Sequence, residues 1–365
     1  MLSSWVSRNN GGVFEAVVAQ ADLVCSLGGQ PIVLGIRDEV TDTDAWRLDG
    51  FETWLVPGTG PGALAYARDL VPKLAEARLD LLHLHGIWQY PTHAAGRWAS
   101  QSGKPLIISP HGMLDPWITR RNAWKKHAAR LGWERRAWKQ ATAFHALTSA
   151  EAADVRAEAS SARILTIPNP APPLAPFNDS QRSPALLYLG RIHEKKNIAA
   201  LVAAWYAARA HLPADATLTI AGWGDDAGIA MLERAMRNQV DDSVMFVGTA
   251  FGAQKAALFD VSRFLILPSV SEGLPMVILE AWSAGVPTLQ SEACHLPEGY
   301  AQGAAMNCGT DVEEIRDAIV AALNMPHDQW QTISAAARGL ASGPFSSEVV
   351  ARQWSDAYCE ALASG

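Results

Sequence analysis

The sequence is long enough for two domains with cores of their own. Its 365 residues are 49% hydrophobic and 18% charged, with a formal net charge of −7 at pH 7. This balance describes a soluble globular protein and excludes a disordered one. No apolar run approaches the roughly 20 residues that a membrane-spanning helix needs. The first ten residues lack the regions of a signal peptide, so we expect a cytoplasmic protein.

Cysteine usage is consistent with that location. Cys25, Cys294, Cys308 and Cys359 are irregularly spaced, as expected of reduced thiols in the cytoplasm. Cys294, His295 and Cys308 lack the Cys-x-x-Cys spacing of a zinc site. We therefore expect neither a bound metal nor another cofactor.

Short apolar runs alternate with helical patterns along the chain, which predicts an α/β protein with parallel sheets. The runs predicted as buried strands are residues 31–36, 81–86, 105–112, 141–147, 164–170, 185–190, 217–222, 244–248, 264–270 and 286–290. Residues 168–184 hold six prolines, a composition that favours a linker over a strand. We therefore predict two Rossmann-like, doubly wound domains that face a cleft. The first domain is assigned to residues 1–170, the linker to 171–184 and the second domain to 185–345.

Histidines stand near the ends of two predicted strands in the first domain. His111 lies in a Pro-His-Gly sequence at the end of the strand 105–112, and α/β proteins bind ligands beyond the carboxyl ends of their strands. We interpret His111 as a site residue, with a core histidine as the alternative. We expect His83 and His85 to face opposite sides of their strand, so that only His85 is a further candidate.

Basic residues follow the first strand of the second domain, in LGRIHEKKN at residues 189–197. Arg191 supplies a planar guanidinium and Lys196 a compact ammonium group, and together they suit a diphosphate. A basic loop in solvent is the alternative. A later strand ends in IAGWGDD, residues 220–226, which is not the G-x-G-x-x-G fingerprint of nicotinamide enzymes.

Two glutamates, Glu272 and Glu280, flank a Gly-Leu-Pro turn in SEGLPMVILEAWSAGVP. Held on a helix, they would be separated by about 12 Å. Glycosidases need their carboxyl groups about 5 to 9.5 Å apart, so a two-carboxylate hydrolase is disfavoured. Pro275 is predicted as the first residue of a helix whose start lacks a good cap and attracts phosphate. Two acceptors along one wall suit a polyhydroxylated ligand, and a solvated turn is the alternative.

These segments resemble the donor domain of glycosyltransferase family 4, the retaining enzymes of GT-B fold. GRIHEKKN, IAGWGDD, VGTAF and PSVSEGLPMVILEAWSAGVP carry the resemblance, and Glu272 and Glu280 match the family's E-x7-E motif in register. In the first half, the stretch that begins with NNGG resembles the family's Gly-Gly loop and first helix, and HLHGIW and SPHGMLDPW resemble a bacterial surface-polysaccharide branch of the family. Residues 346–364 resemble its terminal helix, which would pack back onto the first domain. The short run before Gly11 departs from the pattern, because it leaves little length for the usual first strand.

The resemblance implies a role for each matched residue. Glu280 would accept hydrogen bonds from the ribose of a nucleotide, and Glu272 would bind hydroxyls of the donor sugar. Arg191 and Lys196 would hold the diphosphate, and His111 would lie beside the transferred sugar. His111, Arg191, Lys196 and Glu272 are the residues expected to act in catalysis. The other implied donor-binding residues are Gly11, Gly12, Gly190, Gly222, Gly273 and Leu274.

The resemblance also implies an activity. A hexose-type sugar would pass from a nucleoside-diphosphate sugar to a glycan or lipid-linked oligosaccharide, in exopolysaccharide, lipopolysaccharide or O-antigen assembly. Transfer would retain the anomeric configuration without a metal, and the leaving phosphate would take the proton of the acceptor. A non-catalytic sugar-nucleotide-binding protein on the same fold is the alternative, and a Rossmann oxidoreductase is a more distant one.

A basic, tryptophan-rich segment occupies residues 117–139, which hold eight Arg or Lys and one Glu. Trp117, Trp124, Leu131 and Trp138 recur every seventh residue and would form one stripe on a helix. Either this stripe is buried in a domain core, or the segment contacts an anionic membrane and makes the protein peripheral at the inner face of the plasma membrane. Base-stacking aromatics on a sheet or groove are not evident, so nucleic acid is not an expected partner.

Overall fold

The structure is a computed structural model that describes residues 1–176, 182–237 and 242–363. The chain falls into two compact units, one formed by Met1–Pro168 with the chain from Ala351 onward, the other by Asn169–Val350. The linker predicted at residues 171–184 lies partly outside the described residues, at 177–181. Within the described ranges, no helix has the length and hydropathy needed to cross a membrane.

The first unit is built on one parallel sheet. Its strands are β1 (Leu2–Trp5), β2 (Ile32–Arg37), β3 (Glu52–Pro57), β4 (Leu82–His85), β5 (Leu106–Ser109), β6 (Ala143–Ala146) and β7 (Ile164–Thr166). Among the described residues this sheet has seven strands in the order β3-β2-β1-β4-β5-β6-β7. The strand order reverses between β1 and β4, and such a switch point is where α/β proteins open a crevice beyond the carboxyl ends of their strands.

Apolar side chains cover both faces of this sheet. Leu34 and Ile36 of β2 enter one hydrophobic core, whereas Val33, the residue directly before Leu34, enters another with Phe14 and Val17. Successive side chains of a strand point to opposite faces. Burial on both faces explains why these strands read as continuous apolar runs in the sequence.

Helices connect the strands of the first unit. They are α1 (Gly12–Ser26), α2 (Thr41–Asp44), α3 (Leu70–Glu76), α4 (Tyr90–Ser102), α5 (Pro116–Arg120), α6 (Ala123–Ala129), α7 (Arg135–Trp138) and α8 (Ser149–Glu158). A π-helical turn, Arg130–Glu134, joins α6 to α7.

The second unit repeats this architecture. Its strands are β8 (Ala185–Leu189), β9 (Thr217–Ala221), β10 (Val244–Phe246), β11 (Phe264–Leu267), β12 (Thr288–Gln290) and β13 (Ala305–Asn307). In the part of the chain that is described, the sheet has six parallel strands in the order β10-β9-β8-β11-β12-β13. Here the order reverses between β8 and β11. The predicted α/β class with two doubly wound, Rossmann-like domains is thus confirmed.

The helices of the second unit follow the same alternation with its strands. They are α9 (Ile198–Ala208), α10 (Asp226–Met236), α11 (Gly252–Val261), α12 (Met276–Ser283), α13 (Pro297–Ala301), α14 (Val312–Leu323) and α15 (His327–Ser342). The last helix, α16 (Ser347–Ala363), begins in the second unit and continues in the first. Its Tyr358 hydroxyl accepts a hydrogen bond from Nε2 of Gln20 at 2.8 Å, and its Glu360 forms an ion pair with Arg163.

Three strands were not predicted from the sequence, namely β1, β3 and β13. The stretch before Gly11 was expected to leave little length for a first strand, but β1 pairs with both β2 and β4 in the middle of the sheet. Its run Leu-Ser-Ser-Trp is short and half polar, although Ser3 and Ser4 are buried. The segment forms a strand because of its place in the sheet, since neither its length nor its pattern of apolar and polar residues identifies it as one.

Candidate functional site

Two glycines bring the ends of β8 and β9 into close contact. The N–H of Gly190 donates to the carbonyl of Ala221 at 3.0 Å. Gly222 has a φ of +153°, and a Cβ there would lie 1.8 Å from the carbonyl oxygen of Gly190. No other residue fits at position 222 without moving the backbone. Both predicted glycines therefore shape the carboxyl edge of the second sheet.

Arg191 and Lys196 lie in the loop after β8, as predicted. The N–H of Ile192 donates to the carbonyl of Trp223 at 2.6 Å, which fixes the start of this loop. The Arg191 side chain is half exposed and lies 3.8 Å from the carboxylate of Asp225. Lys196 ends a short 3-10 turn, Glu194–Lys196, and its Nζ contacts Oε1 of Glu272.

Glu272 is buried, and the structure provides it with partners. Its side chain is 7% exposed, and Oε1 also accepts a hydrogen bond from Oγ of Ser269 at 2.6 Å. Burial of a carboxylate is unfavourable unless it is paired and hydrogen-bonded. The ammonium of Lys196 and the hydroxyl of Ser269 satisfy both conditions, so Glu272 is held as a fixed acceptor at the edge of the sheet.

Glu280 lies on α12 and pairs with a different lysine. Nζ of Lys255, on α11, is 2.8 Å from Oε1 of Glu280, and both side chains remain partly accessible. Each glutamate of the E-x7-E pair is thus oriented by its own cation. Lys255 was missed by the sequence analysis, because nothing near it in the chain marks it as a partner 25 residues away.

The start of α12 differs by one residue from the prediction. The helix begins at Met276, and Pro275 occupies the cap position with φ −74° and ψ 101°. Among the described residues no side chain caps this helix start. A Cβ at Gly273 would meet no described atom within 4 Å. The backbone at Gly273 therefore borders open space on its Cβ side, next to a helix start of the kind that can bind an anion.

In the first unit, Gly11 and Gly12 form the start of α1. Gly11 is the cap residue, with φ +57° and ψ −135°, a conformation that L-residues rarely adopt. A side-chain cap is absent here among the described residues. Nδ2 of Asn10 donates to Oγ of Ser3 at 2.7 Å and to the carbonyl of Trp5 at 2.9 Å. This helix start is therefore rigidly connected to β1.

His111 lies in the turn after β5, with a left-handed φ of +54°. The following N–H, of Gly112, donates to Oε1 of Glu151 at 2.6 Å, while Oε2 of Glu151 accepts from the N–H of Leu147 at 2.8 Å. One buried carboxylate thus ties the loop after β5 to the loop after β6. Nε2 of His111 is 3.0 Å from Nδ1 of His85.

The expectation that His83 and His85 face opposite sides of β4 is wrong. Their ring centroids are 4.2 Å apart, because side chains two residues apart on a strand point to the same face. Both are buried, together with His145 of β6. The sequence therefore did not reveal a histidine cluster, which His111 joins from the turn after β5 and His145 from β6.

The basic segment does not form one helix, and its tryptophans and Leu131 do not line up as one apolar stripe. Asn122, with φ +51°, separates α5 from α6, and the π-helical turn that includes Gly132 rotates α7 relative to α6. Trp124 and Leu131 are consequently 72% and 59% exposed, whereas Trp138 is buried. The core alternative is therefore wrong for Trp124 and Leu131 and correct for Trp138.

The π-helical turn also buries an acidic residue. Oε1 of Glu134 accepts hydrogen bonds from the N–H of Trp88 at 2.7 Å and from Nε1 of Trp133 at 3.0 Å. Oε2 has no hydrogen-bond partner among the described residues. Burial raises the pKa of Glu134 to about 7, so this carboxyl changes charge near neutral pH.

Two other features of the structure bear on ligand binding. Within the described ranges, no group of three or more His, Cys, Asp or Glu side chains is placed to hold a metal ion. A cavity of about 620 Å³ in the first unit is lined by Ile32, Glu52 and Leu79 among others, at the amino ends of the strands. None of the site residues predicted from the sequence lines this cavity.

Comparison with known proteins covers most of the chain. Residues 183–325 match the family model described as Glycosyl transferases group 1, and residues 13–170 match the model described as Glycosyl transferase 4-like domain. The O-antigen chain mannosyltransferase B of Escherichia coli is 31% identical over 176 residues, 47% of this chain and 45% of that protein. A glycogen synthase of Mycobacterium tuberculosis is 31% identical over 159 residues, 43% of this chain and 38% of that protein. The chain thus spans less than half the length of these curated relatives.

A solved structure matches the whole chain. The crystal structure of Anabaena HepE in complex with UDP and glucose has a TM-score of 0.72 at 16% identity, and the match covers 99% of this chain and 100% of that one. At this identity, the match establishes the fold. The two Rossmann-like domains are those of the GT-B architecture.

Proposed function

Since the chain belongs to the group 1 glycosyltransferases, family 4, we propose that it transfers a hexose-type sugar from a nucleoside-diphosphate sugar to a glycan or lipid-linked oligosaccharide. The observation that carries this proposal is the contact between Lys196 and Glu272. It joins the loops after β8 and β11, where the strand order reverses and where α/β sheets bind their ligands. A cation for phosphate and an acceptor for hydroxyl groups thus lie side by side.

The proposed donor site uses residues of the second unit. Lys196, Arg191 and the amides of Gly273 and Leu274 bind the diphosphate, and Glu272 binds sugar hydroxyls. Glu280, beside Lys255, accepts from the ribose hydroxyls. Gly190 and Gly222 contribute by shaping the backbone at this edge, because a Cβ on Gly222 would lie 1.8 Å from the carbonyl oxygen of Gly190. In the first unit, Gly11 and Gly12 offer backbone amides to the donor, and His111 contacts the transferred sugar.

The proposed mechanism retains the anomeric configuration and needs no metal. The bond between the anomeric carbon and the phosphate oxygen breaks, and the acceptor oxygen bonds to the same face of that carbon. The acceptor's proton passes to the leaving phosphate, so the protein supplies no nucleophile. Lys196 and Arg191 stabilise the negative charge that develops on the leaving group, which is the main requirement for a donor that is already activated.

The proposed process is assembly of a bacterial surface polysaccharide. The E. coli relative that matches 47% of this chain is named an O-antigen chain mannosyltransferase, which supports this class of acceptor. UDP and glucose are bound in the HepE structure of the same fold, which supports a nucleotide sugar as donor.

An anionic membrane surface is proposed as a further partner, with the protein peripheral at the cytoplasmic face. Trp124 and Leu131 are strongly exposed, and the exposed basic residues Arg120, Lys125 and Arg135 lie near them in the chain. Aromatic and aliphatic side chains that lie among basic residues favour the interface of an anionic bilayer. A membrane-bound acceptor would then be presented at the same surface.

Thermal shift and transfer assays test the proposed activity together. A nucleoside diphosphate at 100 times its Kd should stabilise the protein by about 2.7 kcal/mol, which identifies the base. Initial rates with the matching nucleotide sugars and extracted lipid-linked acceptors should then show transfer in the parent protein. Binding without transfer to any acceptor would support the non-catalytic alternative instead. Lys195→Ala is a matched control for Lys196→Ala, because it removes the neighbouring lysine.

A further inference from the structure

The histidine cluster of the first unit contains one hydrogen-bonded chain whose directions can be assigned. Nε2 of His145 lies 2.8 Å from the carbonyl of Ile167 and must donate to it, because a carbonyl only accepts. Nδ1 of the neutral His145 ring then accepts from Oγ of Ser109, at 2.8 Å. Burial lowers the pKa of His145 to about 4, so the ring carries one proton at neutral pH.

The same logic continues to the last helix. Because the Ser109 O–H donates its hydrogen bond to His145, its oxygen accepts one from Nε2 of His83, at 2.7 Å. Nδ1 of His83 is left to accept from the Tyr358 hydroxyl at 3.0 Å. His83 and His145 therefore both carry their proton on Nε2. Neither the His83 ring nor the His145 ring forms a hydrogen bond with His85 or His111.

His85 and His111 form a separate pair. The distance from Nδ1 of His85 to Nε2 of His111 is 3.0 Å, and the ring planes differ by 16°, so one ring donates and the other accepts. His85 is buried and His111 is partly buried, and desolvation lowers the pKa of His111 to about 3 and that of His85 well below its ordinary value. Each ring of the pair is therefore neutral and has one proton.

The unpaired nitrogen of His85 decides the direction of the bond. Nε2 of His85 is buried and has no hydrogen-bond partner among the described residues. If His111 donated, His85 would carry its proton on Nε2 as a buried N–H without an acceptor. If His85 donates from Nδ1, Nε2 is only an unused lone pair. Orphaned buried N–H groups are rarer than under-satisfied acceptors, so His85 is the donor.

We propose that His85 is a positioning residue that fixes His111 with its single proton on Nδ1. His111 then accepts at Nε2 and presents Nδ1–H as a hydrogen-bond donor, and it is neither a general base nor a cation. Nδ1 of His111 has no hydrogen-bond partner within the described part of the chain, so this donor is available to a ligand. The assignment of that ligand as the transferred sugar rests on the function proposed above, whereas the tautomer does not.

Backbone geometry supports a positioning role. The left-handed φ of His111 and the hydrogen bond from Gly112 to Glu151 fix where the ring starts. The contact with His85 then fixes the rotation of the ring about its own bonds. A donor that is oriented before the ligand arrives loses little freedom on binding.

Nitrogen-15 NMR of the histidine-labelled protein without ligand tests the tautomers directly. We expect all four rings to be neutral at pH 7, with His85 and His111 protonated on Nδ1, and His83 and His145 protonated on Nε2. Substitution of each histidine in turn assigns its signals. A His111 ring protonated on Nε2, or on both nitrogens, would overturn the proposal whether or not the protein transfers sugar.

Substitutions of His85 separate positioning from packing. His85→Asn places an amide donor near the position of Nδ1, so His111 should keep its proton on Nδ1 and turnover should stay within about threefold. His85→Phe removes the donor, so the His111 signals should show both tautomers and turnover should fall about tenfold or more, at a KM for the donor within about threefold. His83→Asn, two residues away on the same strand, is the matched control and should leave the His111 signals in place. If His83→Asn displaces the His111 tautomer as much as His85→Phe does, the role of His85 is only packing. If His85→Phe does not fold, the spectra of the parent and His85→Asn proteins still decide.

Discussion

Nζ of Lys196 contacts Oε1 of Glu272, which lies 76 residues further along the chain, at the point where the strand order of the second sheet reverses. Both side chains are largely buried, at 16% and 7% exposure. The pair explains how an acidic residue is tolerated beside an apolar strand end. It also links the proposed diphosphate-binding cation to the proposed sugar-binding acceptor, so a change in either affects the other.

Lys196→Ala should lower both activity and stability. Turnover should fall about 100-fold or more, because the variant loses a charge that stabilises the leaving group. The free energy of unfolding should fall by roughly 1–3 kcal/mol, because Glu272 stays buried without its cation. The double variant Lys196→Ala/Glu272→Gln should regain most of this stability, since no charge is left buried, yet remain inactive. Urea unfolding and initial rates measure the two effects, and a double variant no more stable than Lys196→Ala would contradict the role of the pair.

Arg191→Ala should separate activity from stability. The Arg191 side chain is 52% exposed and 3.8 Å from Asp225, and exposed ion pairs contribute little to folding. We expect the free energy of unfolding to change by less than about 0.5 kcal/mol, while turnover falls about 10- to 100-fold through lost charge stabilisation. Arg316→Ala, which removes another partly exposed arginine beside an acidic residue, serves as the control. Equal turnover in all three proteins would remove Arg191 from the donor site.

The two glutamates should differ in what they bind. Glu280→Gln should raise the Kd of the free nucleoside diphosphate about tenfold, because a hydrogen bond from ribose to a charged acceptor is worth roughly 1.5–3 kcal/mol. Glu272→Gln should leave that Kd within about threefold and lower turnover instead, since free nucleoside diphosphate lacks the sugar. Isothermal titration calorimetry with each variant gives the Kd values. If Glu272→Gln is the weaker binder of nucleoside diphosphate, the two assignments are reversed.

Glu134→Gln should stabilise the protein only at higher pH. The folded pKa of Glu134 is about 7, above the ordinary value for an unfolded chain, so the protonated form is favoured by folding. This contribution is fully present below about pH 4.3 and is lost as the pH rises through 7. The Gln variant cannot ionise and keeps the acceptor for the N–H of Trp88 and for Nε1 of Trp133. We expect it to match the parent near pH 4 and to exceed it by about 3–4 kcal/mol at pH 8. Urea unfolding at both pH values tests this, and a difference that does not depend on pH would rule out ionisation as its cause.

The parent protein should bind anionic vesicles, and exposed charges of the basic segment should be responsible. Lys126 is not a suitable target, because its Nζ donates to the carbonyls of Ile118 and Arg121 at 2.8 and 2.6 Å and so supports the local fold. Replacing the more exposed residues Arg120, Lys125, Arg135 and Arg136 with Gln should remove about 4 kcal/mol of binding, with little change in Tm.

Co-sedimentation with phosphatidylglycerol vesicles measures this binding, and phosphatidylcholine vesicles are the lipid control. Binding should weaken as salt rises, because exposed charges are screened over about 8 Å at physiological ionic strength. Arg37→Gln/Arg68→Gln removes two exposed arginines outside the segment and should bind like the parent. No binding by the parent at low salt, or equal loss in the control variant, would exclude this surface as a membrane contact.

The fold and the placement of Arg191, Lys196 and Glu272 at strand ends were largely predictable from sequence, because their signals are local. Continuous apolar runs followed by Gly, Arg, Lys or Glu mark buried parallel strands and their carboxyl ends, and these features depend on residues adjacent in the chain. The short strand β1 lacks such a signal, because two of its four residues are serines. The prediction of a single helix in the basic segment was wrong, because one left-handed residue and one π-helical turn interrupt it and change which side chains share a face.

The sequence by itself thus determined the α/β class, the doubly wound sheets and the positions of Arg191, Lys196, Glu272 and Glu280. Only the tertiary structure decided which side chains meet. Lys196 reaches Glu272 across 76 residues, Lys255 reaches Glu280 across 25, and His85 reaches His111 across 26. These contacts depend on the order of strands in each sheet, because parallel strands bring their carboxyl ends together regardless of how much chain separates them.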